Sequence, residues 1–370
     1  MGTLVLLMGV SITQMSQTEK LVAQLRHAEV DCREDAHGRI VEISLSLGHT
    51  DQTLALAARA STVEVLDCMH SEVTDEGLRH VIRLTHLREL NLLDTSVTGA
   101  GLRHIAKLKS LRSLAVNPSR EFMDGLASIG QLHGLEELSF YAEVPPGGLR
   151  HLVGLRRLQK LSLSLAVVAD GDFVHVATLP NLRRLAVDNE VTTDEAMAHI
   201  ARCARLEELI VGSPRLTDNS FEYIQKMPVL RTLVIRSPKI NGHKVFLLKN
   251  CTRLTYLKLS ECSIDESMFR HLVGLTSLRE LDISNTRVTK EGASRLRKLM
   301  PWCDIDCYIP DDNDPLVKSL REWMRQSQER DRTKGEGDGG AAQEVREEQA
   351  TKPKGNREMP RGNEQGEKRK

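Results

Sequence analysis

Histidine is the residue type whose spacing most suggests chemistry in this chain. Six histidines recur at equivalent places, each one residue before an apolar position of a repeating segment. His151, His175 and His199 lie on consecutive segments, and imidazoles so placed are suitable ligands for a divalent metal. No carboxylates that would orient the rings can be identified. Because all six histidines occupy the same position of the repeat, we interpret them as consensus surface residues and not as metal ligands. The full set is His80, His104, His151, His175, His199 and His271.

Other catalytic patterns are missing from the sequence. No combination of Ser, His and Asp, and no set of metal-binding side chains, is expected to converge on one face. Two Ser-Pro pairs at equivalent offsets, beginning at Ser213 and Ser237, predict a bent exit from a strand. The alternative is a pair of phosphorylation sites. The sequence therefore predicts a non-enzymatic protein with no catalytic residues, no cofactor and no metal.

The cysteines favour a reducing compartment. Seven are present, which is an odd number, and they lack the paired spacing of a disulfide framework. Cys203 and Cys251 fall at an apolar position of the repeating segments and are predicted to be small core residues. We therefore expect a cytoplasmic protein. Secretion is the alternative, because residues 1–13 contain a short apolar run like that of a signal peptide, although no Lys or Arg precedes it.

The overall charge is balanced. Lys and Arg total 51, as do Asp and Glu, so no global field steers the chain toward nucleic acid or an anionic membrane. Local patches of positive or negative charge are still compatible with this balance. The chain also lacks the run of about 18 apolar residues that a membrane-spanning helix requires. No nucleic-acid partner and no membrane span are predicted.

A pattern L-x-x-L-x-L recurs every 23 or 24 residues through most of the chain. A chance pattern would not keep this spacing through most of the chain, so the sequence predicts an array of similar units. Further apolar residues follow at helical spacing, as in Leu102, Ile105 and Leu108. The first residues of the pattern are Ile40, Val63, Leu87, Leu111, Leu135, Leu158, Leu182, Leu206, Leu230, Leu254, Leu278 and Trp302.

Each unit is predicted to be a short strand, a turn and a helix of two to three turns. One unit cannot bury its apolar face alone, whereas stacked units share a continuous core. The parallel strands would line a concave face about 4.8 Å apart, with the helices on the convex face.

The units Val73–Thr95 and Ser263–Thr286 resemble leucine-rich repeats of the "VTDxGL" type, akin to the cysteine-containing, ribonuclease-inhibitor-like repeats. The resemblance covers residues 38–308. It implies an α/β solenoid, or horseshoe, and a role in binding proteins. Such repeats occur in ubiquitin-ligase substrate receptors, nuclease inhibitors and adenylate cyclase regulators. The chain shows neither an F-box before the repeats nor the Cys and His spacing of a zinc finger.

The ends of the array are predicted to be capped. Ser16 and Glu19 have the spacing of a capping box, which starts a helix. At the other end, Trp302, Ile305 and Cys307 are predicted to face inward from a terminal strand. The predicted organisation is an N-terminal cap over 1–37, a solenoid of about eleven units over 38–308, a capping helix over 309–330 and a disordered charged tail over 331–370.

The outward positions of the strands point to a partner site. Most carry the polar residues of a solvated sheet, but between Arg184 and Lys258 several are apolar or aromatic and have charged neighbours. Interfaces commonly combine an apolar centre with a charged rim. The alternative is that a loop or the N-terminal segment covers this surface. The predicted partner-binding residues are Tyr141, Arg184, Asp188, Ile210, Val234, Arg236, Tyr256 and Lys258.

We therefore predict a monomeric scaffold that binds another protein through the concave face of the repeats. A rigid stack of units loses little entropy on binding. The alternative is a target-selecting or regulatory subunit of an enzyme complex, either a ubiquitin ligase or an adenylate cyclase. The identity of the partner cannot be predicted from the sequence.

Overall fold

A computed structural model describes residues 16–117 and 122–308, so the predictions for 1–15, 309–330 and 331–370 lie outside the described residues. Within these ranges the strands form one sheet whose spatial order is the order of the chain. The strands are β1 Asp31–Glu34, β2 Ile40–Ser44, β3 Val65–Asp67, β4 Glu89–Leu92, β5 Ser113–Val116, β6 Glu137–Phe140, β7 Lys160–Ser162, β8 Arg184–Asp188, β9 Glu208–Gly212, β10 Thr232–Arg236, β11 Tyr256–Lys258, β12 Glu280–Asp282 and β13 Asp304–Asp306.

The helical segments are shorter than predicted. Only some units contain an α-helix of two turns or more, and others have a 3₁₀ segment such as Gly101–Lys107 or Gly148–Gly154. A 3₁₀ helix rises further per residue than an α-helix, so a segment with the same number of residues spans a greater length. The α-helices are α1 Gln17–His27, α2 Asp51–Ala57, α3 Asp75–Leu78, α4 Phe122–Ile129, α5 Phe173–Val176, α6 Asp194–Ile200, α7 Ser220–Ile224, α8 Phe269–Leu272 and α9 Lys290–Leu299.

The core is a column of inward side chains from equivalent positions of the units. Leu209, Leu233 and Leu257 are aligned on neighbouring parallel strands, and all three are fully buried. Phe173 and Phe221 contribute from the helices and are equally buried. The predicted α/β solenoid, with parallel strands alternating with helices, is confirmed.

The N-terminal end is closed by α1 and by a strand that was not predicted. α1 begins with the expected capping box, in which Ser16 and Glu19 exchange hydrogen bonds. β1 pairs antiparallel with β2, so it covers the first edge of the parallel sheet. His49 is buried and joins this cap to the repeats, because its ring lies 2.9 Å from the Ala28 carbonyl oxygen and accepts the Ser46 N–H at 2.8 Å.

The prediction for Trp302 is wrong. It was expected to face inward like Leu278, yet its side chain is 38% exposed. Ile305 is buried as predicted, while Cys307 is only half-buried. β13 has a neighbouring strand on one side only in the described part of the chain, so one flank of this unit lacks the cover that Leu278 receives.

Neighbouring units are also joined by a ladder of carboxylates and threonines. Thr74 caps α3, and Asp51 of the preceding unit accepts from both its N–H at 2.8 Å and its hydroxyl at 2.7 Å. A Cβ on Gly77 would lie 2.2 Å from the Asp51 Oδ1, so glycine leaves room for this carboxylate. The equivalent pairs are Asp75 with Thr98, Asp170 with Thr193, Asp194 with Thr217 and Glu266 with Thr289.

The ladder gives a physical reason for the motif T-D-x-G. The threonine caps its own helix, the aspartate holds the next unit, and the glycine accommodates the aspartate of the previous unit. Ala196 and Ser220 occupy the glycine position in two later units, and the Ser220 hydroxyl donates to Asp194. The glycine is therefore favoured but not obligatory.

All seven cysteines fall in the described ranges, and each is a free thiol. Cys203 and Cys251 are buried, in agreement with their predicted place in the core. Burial raises the pKa of Cys203 and of Cys262 to about 12. At neutral pH these two groups are therefore thiols and not the nucleophilic thiolates.

Alkylation of the native protein with iodoacetamide at about pH 8 is expected to label Cys32 and Cys307 first, because they are half-buried. Cys203 and Cys262 should react only after denaturation. Peptide mapping by mass spectrometry identifies the labelled thiols. Rapid labelling of Cys203 in the native protein would contradict this prediction.

Candidate functional site

Seven of the eight predicted partner-binding residues lie on the four consecutive strands β8–β11. Strand pairing aligns their outward residues in three rows that run across the strands. The first row contains Arg184, Glu208, Thr232 and Tyr256; the second contains Ala186, Ile210, Val234 and Lys258; the third contains Asp188, Gly212 and Arg236.

The centre of this face is apolar. Ala186, Ile210 and Val234 stand side by side in the second row, and we call these three residues the apolar row. Ile210 and Val234 are partly exposed, while the smaller Ala186 is buried. Adjacent strands lie about 4.8 Å apart, so these side chains form one continuous surface.

Two ion pairs border the apolar row. On the first-row side, Arg184 donates to Glu208 at 3.0 Å. On the third-row side, the guanidinium of Arg236 reaches across β9 and donates to the Asp188 carboxylate. The charges predicted for the rim are therefore paired within the protein.

Gly212 makes the second pair possible. It stands between Asp188 and Arg236 in the third row. A Cβ at this position would lie 2.2 Å from the Asp188 Oδ1 and 3.4 Å from the Arg236 Nε. Gly212 was not among the predicted partner-binding residues. One feature of the sequence could have identified it: a glycine at an outward strand position that aligns between an acidic and a basic residue.

Lys258 is paired as well. Its ammonium donates to Asp282 of β12, and this hydrogen bond raises the pKa of Lys258. Burial alone would raise the pKa of Asp282, but the hydrogen bonds from Lys258 and Ser284 outweigh it and leave that pKa below the usual value. Beside this pair, Tyr256 lines a recess of about 210 Å³ whose other residues are Glu280, Leu281, Asp282, Asp304 and Asp306.

Tyr141 is separate from the other predicted residues. It follows β6, two strands away from β8, and is 36% exposed. Two strand spacings place its backbone on the order of 10 Å from that of Asp188. The structure therefore puts Tyr141 on the same face but does not bring it to the apolar row.

Leu165 is an exposed residue near the site that was not among the predicted partner-binding residues. Its N–H donates to the Asp188 carbonyl oxygen, and its side chain is 76% exposed. Its φ is +59°, in the left-handed region, which is uncommon for residues other than glycine. Equivalent turn positions in other units carry polar residues, as in His70, Asp94 and Asn285. An exposed leucine in this conformation adds apolar surface beside the Asp188 end of the rim.

The remaining candidates for chemistry do not form a site. Within the described residues, no group of three or more His, Cys, Asp and Glu side chains could hold a metal ion. Ser213 and Ser237 are buried, and the Ser237 hydroxyl donates to the Leu216 carbonyl oxygen. These contacts favour the predicted bent exit from the strand over phosphorylation.

One edge of the solenoid carries a concentration of positive charge. It consists of the loops that lead from each helix to the next strand, between residues 58 and 303, and we call it the basic edge. Its acidic residues are Glu64, Glu136 and Glu207. Its basic residues are Arg59, Arg88, Lys109, Arg112, Arg156, Arg157, Arg183, Arg202, Arg205, Lys226, Arg231, Arg253 and Arg279.

Comparison with known proteins supports this architecture. Residues 274–296 match a family model described as "Leucine Rich repeat". An internalin of Listeria monocytogenes strain 4b F2365 is similar in structure, with 17% identity over 80% of this chain and 95% of its own, at a TM-score of 0.53. A TDR receptor aligns at 16% identity over 71% of this chain and 46% of its own, at a TM-score of 0.47. No curated protein sequence matches the chain.

The internalin shares the fold with this chain, and at this identity the likeness extends to the fold alone. Of the helices that the structure describes, none is long and apolar enough to cross a membrane. The repeating sequence, the sheet in chain order and the family match agree with one another. The described part of the chain has the fold of a leucine-rich repeat protein.

Proposed function

We propose that the protein binds a partner protein through the concave face of β8–β11, with the apolar row as the centre of the contact. The observation that carries the proposal is the alignment of Ile210 and Val234 on neighbouring strands, where both side chains are partly exposed. Burying such a centre on association supplies the free energy of binding. Leu165 and Tyr141 would extend the contact beyond the rim.

The ion pairs would give the site its shape. The pairs Arg184 with Glu208 and Arg236 with Asp188 would hold four charged side chains in place before the partner arrives. Less side-chain entropy is then lost on binding. A partner with complementary polar groups would be oriented by these pairs, because charges at a rim contribute to specificity.

We also assign the repeats to the VTDxGL, ribonuclease-inhibitor-like type. The ladder of aspartates and threonines, and the glycines that make room for it, support this assignment. Free thiols throughout the described solenoid support our placement of the protein in the cytoplasm.

The test is a comparison of two variants in affinity capture from the source cells. Ile210→Asp with Val234→Asp puts two charges into the apolar row and is expected to abolish capture of the partner. The matched control is Asn91→Asp with Ala115→Asp, which places two carboxylates in the same row on β4 and β5. A partner that qualifies is enriched by the parent and the control and lost with the Ile210 and Val234 variant. Its binding must then be reproduced by calorimetry with purified proteins.

Equal recovery of every captured protein by the two variants, with circular dichroism showing both folded, would exclude the apolar row as the contact. The same affinity-capture experiment tests the alternative function. A subunit of an enzyme complex would copurify with ubiquitin-ligase components or with a cyclase.

A further inference from the structure

The basic edge lies outside the proposed concave site, so its positive charge is not explained by the proposed function. Over the whole chain, acidic and basic residues are equal in number. The excess of arginine and lysine in the helix-to-strand loops is therefore a segregation of charge within a neutral chain. Successive parallel strands pair in constant register, so these loops lie along one edge of the sheet.

Stabilisation of the fold accounts for only part of this charge. Arg88 lies 3.5 Å from Glu64, and Arg183 and Arg231 both pair with Glu207. Cations near helix C-termini also interact favourably with the helix dipole. However, many of these helices are short or 3₁₀, and the acids of the edge are too few for its bases.

Several arginines on this edge are exposed and have no carboxylate partner in the described part of the chain. Arg157, Arg202 and Arg253 come from three different loops and belong to this group. Strand spacing places successive units about 4.8 Å apart at the sheet, so the edge presents a closely spaced line of cations. Guanidinium groups match the geometry of phosphate oxygens and bind them through paired hydrogen bonds.

A recess on the basic edge could receive a phosphate group. It has a volume of about 330 Å³ and is lined by Arg157, Gln159, Asn181, Arg183 and Glu136. Four of these side chains can donate hydrogen bonds. The carboxylate of Glu136 lies 3.7 Å from Arg112, which compensates its charge.

Two exposed apolar residues at the end of the basic edge indicate which kind of anionic partner it binds. Leu299 is 48% exposed at the end of α9, and Trp302 is exposed in the loop that follows. Arg297 and Lys298 lie in the last turn of α9, and tryptophan near basic residues is typical of the membrane–water interface. In the described helix-to-strand loops, Trp302 is the only Phe, Tyr or Trp, so this edge offers no series of aromatic rings for stacking nucleic-acid bases.

We infer that the basic edge docks the protein on membranes that expose anionic phospholipid headgroups. The arginines would contact the phosphates, and Trp302 with Leu299 would enter the interfacial region. Peripheral binding of this kind needs no membrane-spanning helix. The concave face would remain free for a partner protein.

Cosedimentation of the full chain with vesicles tests this inference. Phosphatidylcholine vesicles with about 30 mol% phosphatidylserine should bind the parent protein, whereas pure phosphatidylcholine vesicles should not. Arg157→Glu with Arg202→Glu and Arg253→Glu is expected to weaken binding by at least about tenfold. The matched control is Arg215→Glu with Lys239→Glu and Arg287→Glu, which makes the same change of charge in strand-to-helix loops and should bind as the parent does.

Competition distinguishes a membrane from other sources of phosphate. Inorganic phosphate, added at a concentration equal to that of the lipid, should not displace the protein from vesicles. Equal binding by the two triple variants, equal binding to neutral vesicles, displacement by inorganic phosphate, or tighter binding to a polyuridine RNA would each overturn the inference. These readouts involve no partner protein, so failure of the concave-face proposal would leave them unchanged.

Discussion

Replacing Phe221 by alanine is expected to lower the free energy of unfolding by about 3–5 kcal/mol. Phe221 lies in α7, and its side chain is fully buried in the column between the helices and the sheet. Truncation removes a large apolar group and leaves a cavity, because neighbouring units fix the surrounding side chains and prevent collapse. Urea unfolding followed by circular dichroism measures the change.

The neighbouring unit provides a control for the same substitution. Phe246 is 39% exposed, and its ring lies 5.4 Å from that of His271 on the surface. Phe246→Ala removes the same atoms but creates no enclosed cavity, so its effect is expected to stay below about 1 kcal/mol. Similar losses for the two variants would contradict the assignment of Phe221 to the core.

Replacing Asp194 by alanine is expected to cost about 2–4 kcal/mol. The Asp194 carboxylate accepts the Thr217 N–H at 3.0 Å and the Thr217 hydroxyl at 2.6 Å, and it also accepts the Ser220 hydroxyl. Ser220 is fully buried, so alanine at position 194 would leave its hydroxyl without a partner and without access to water. Thermal and urea unfolding both measure the loss.

Glu195→Ala is the control for this effect. Glu195 follows Asp194 in the first turn of α6, is exposed and carries the same charge. Its removal should change the unfolding free energy by less than about 0.5 kcal/mol. If the Asp194 and Glu195 variants were equally stable, the ladder would not contribute to the joining of units.

These two positions flank the proposed site. Asp194 precedes β9 and Phe221 follows it, so the ladder and the core together hold the strand that carries Ile210. A solenoid is stabilised by contacts between neighbouring units, and loss of one interface weakens the array locally. Partner binding by either variant should therefore be compared at a temperature at which both are fully folded.

Much of the fold is predictable because every unit of the repeat carries the same pattern of apolar residues. A period of 23 or 24 residues identifies the inward leucines, and from them the order of the parallel strands. Phe221 lies at one of the periodic helical positions and is buried, whereas Phe246 is shifted by one residue and is exposed. The antiparallel strand β1 was not predicted, because it precedes the repeats and no other segment resembles it.

The exposure of Trp302 could not be predicted from periodicity either. The pattern assigns the same position to Trp302 and Leu278, but burial also requires a neighbour on each side. Repeat position determines which way a side chain points, whereas the adjacent units determine how much of it is covered.

For the candidate site, the repeat is enough to predict which residues share the outward face of β8–β11, because side chains alternate along a strand and the repeat sets the register. How these residues pair with one another depends on the packing of the strands in three dimensions. Arg236 bonds Asp188 rather than a residue of the adjacent strand, because the absence of a side chain at Gly212 leaves a path between them. The hydrogen bond from the Leu165 N–H to the Asp188 carbonyl oxygen likewise joins two segments one repeat apart, and no single unit of the sequence contains both.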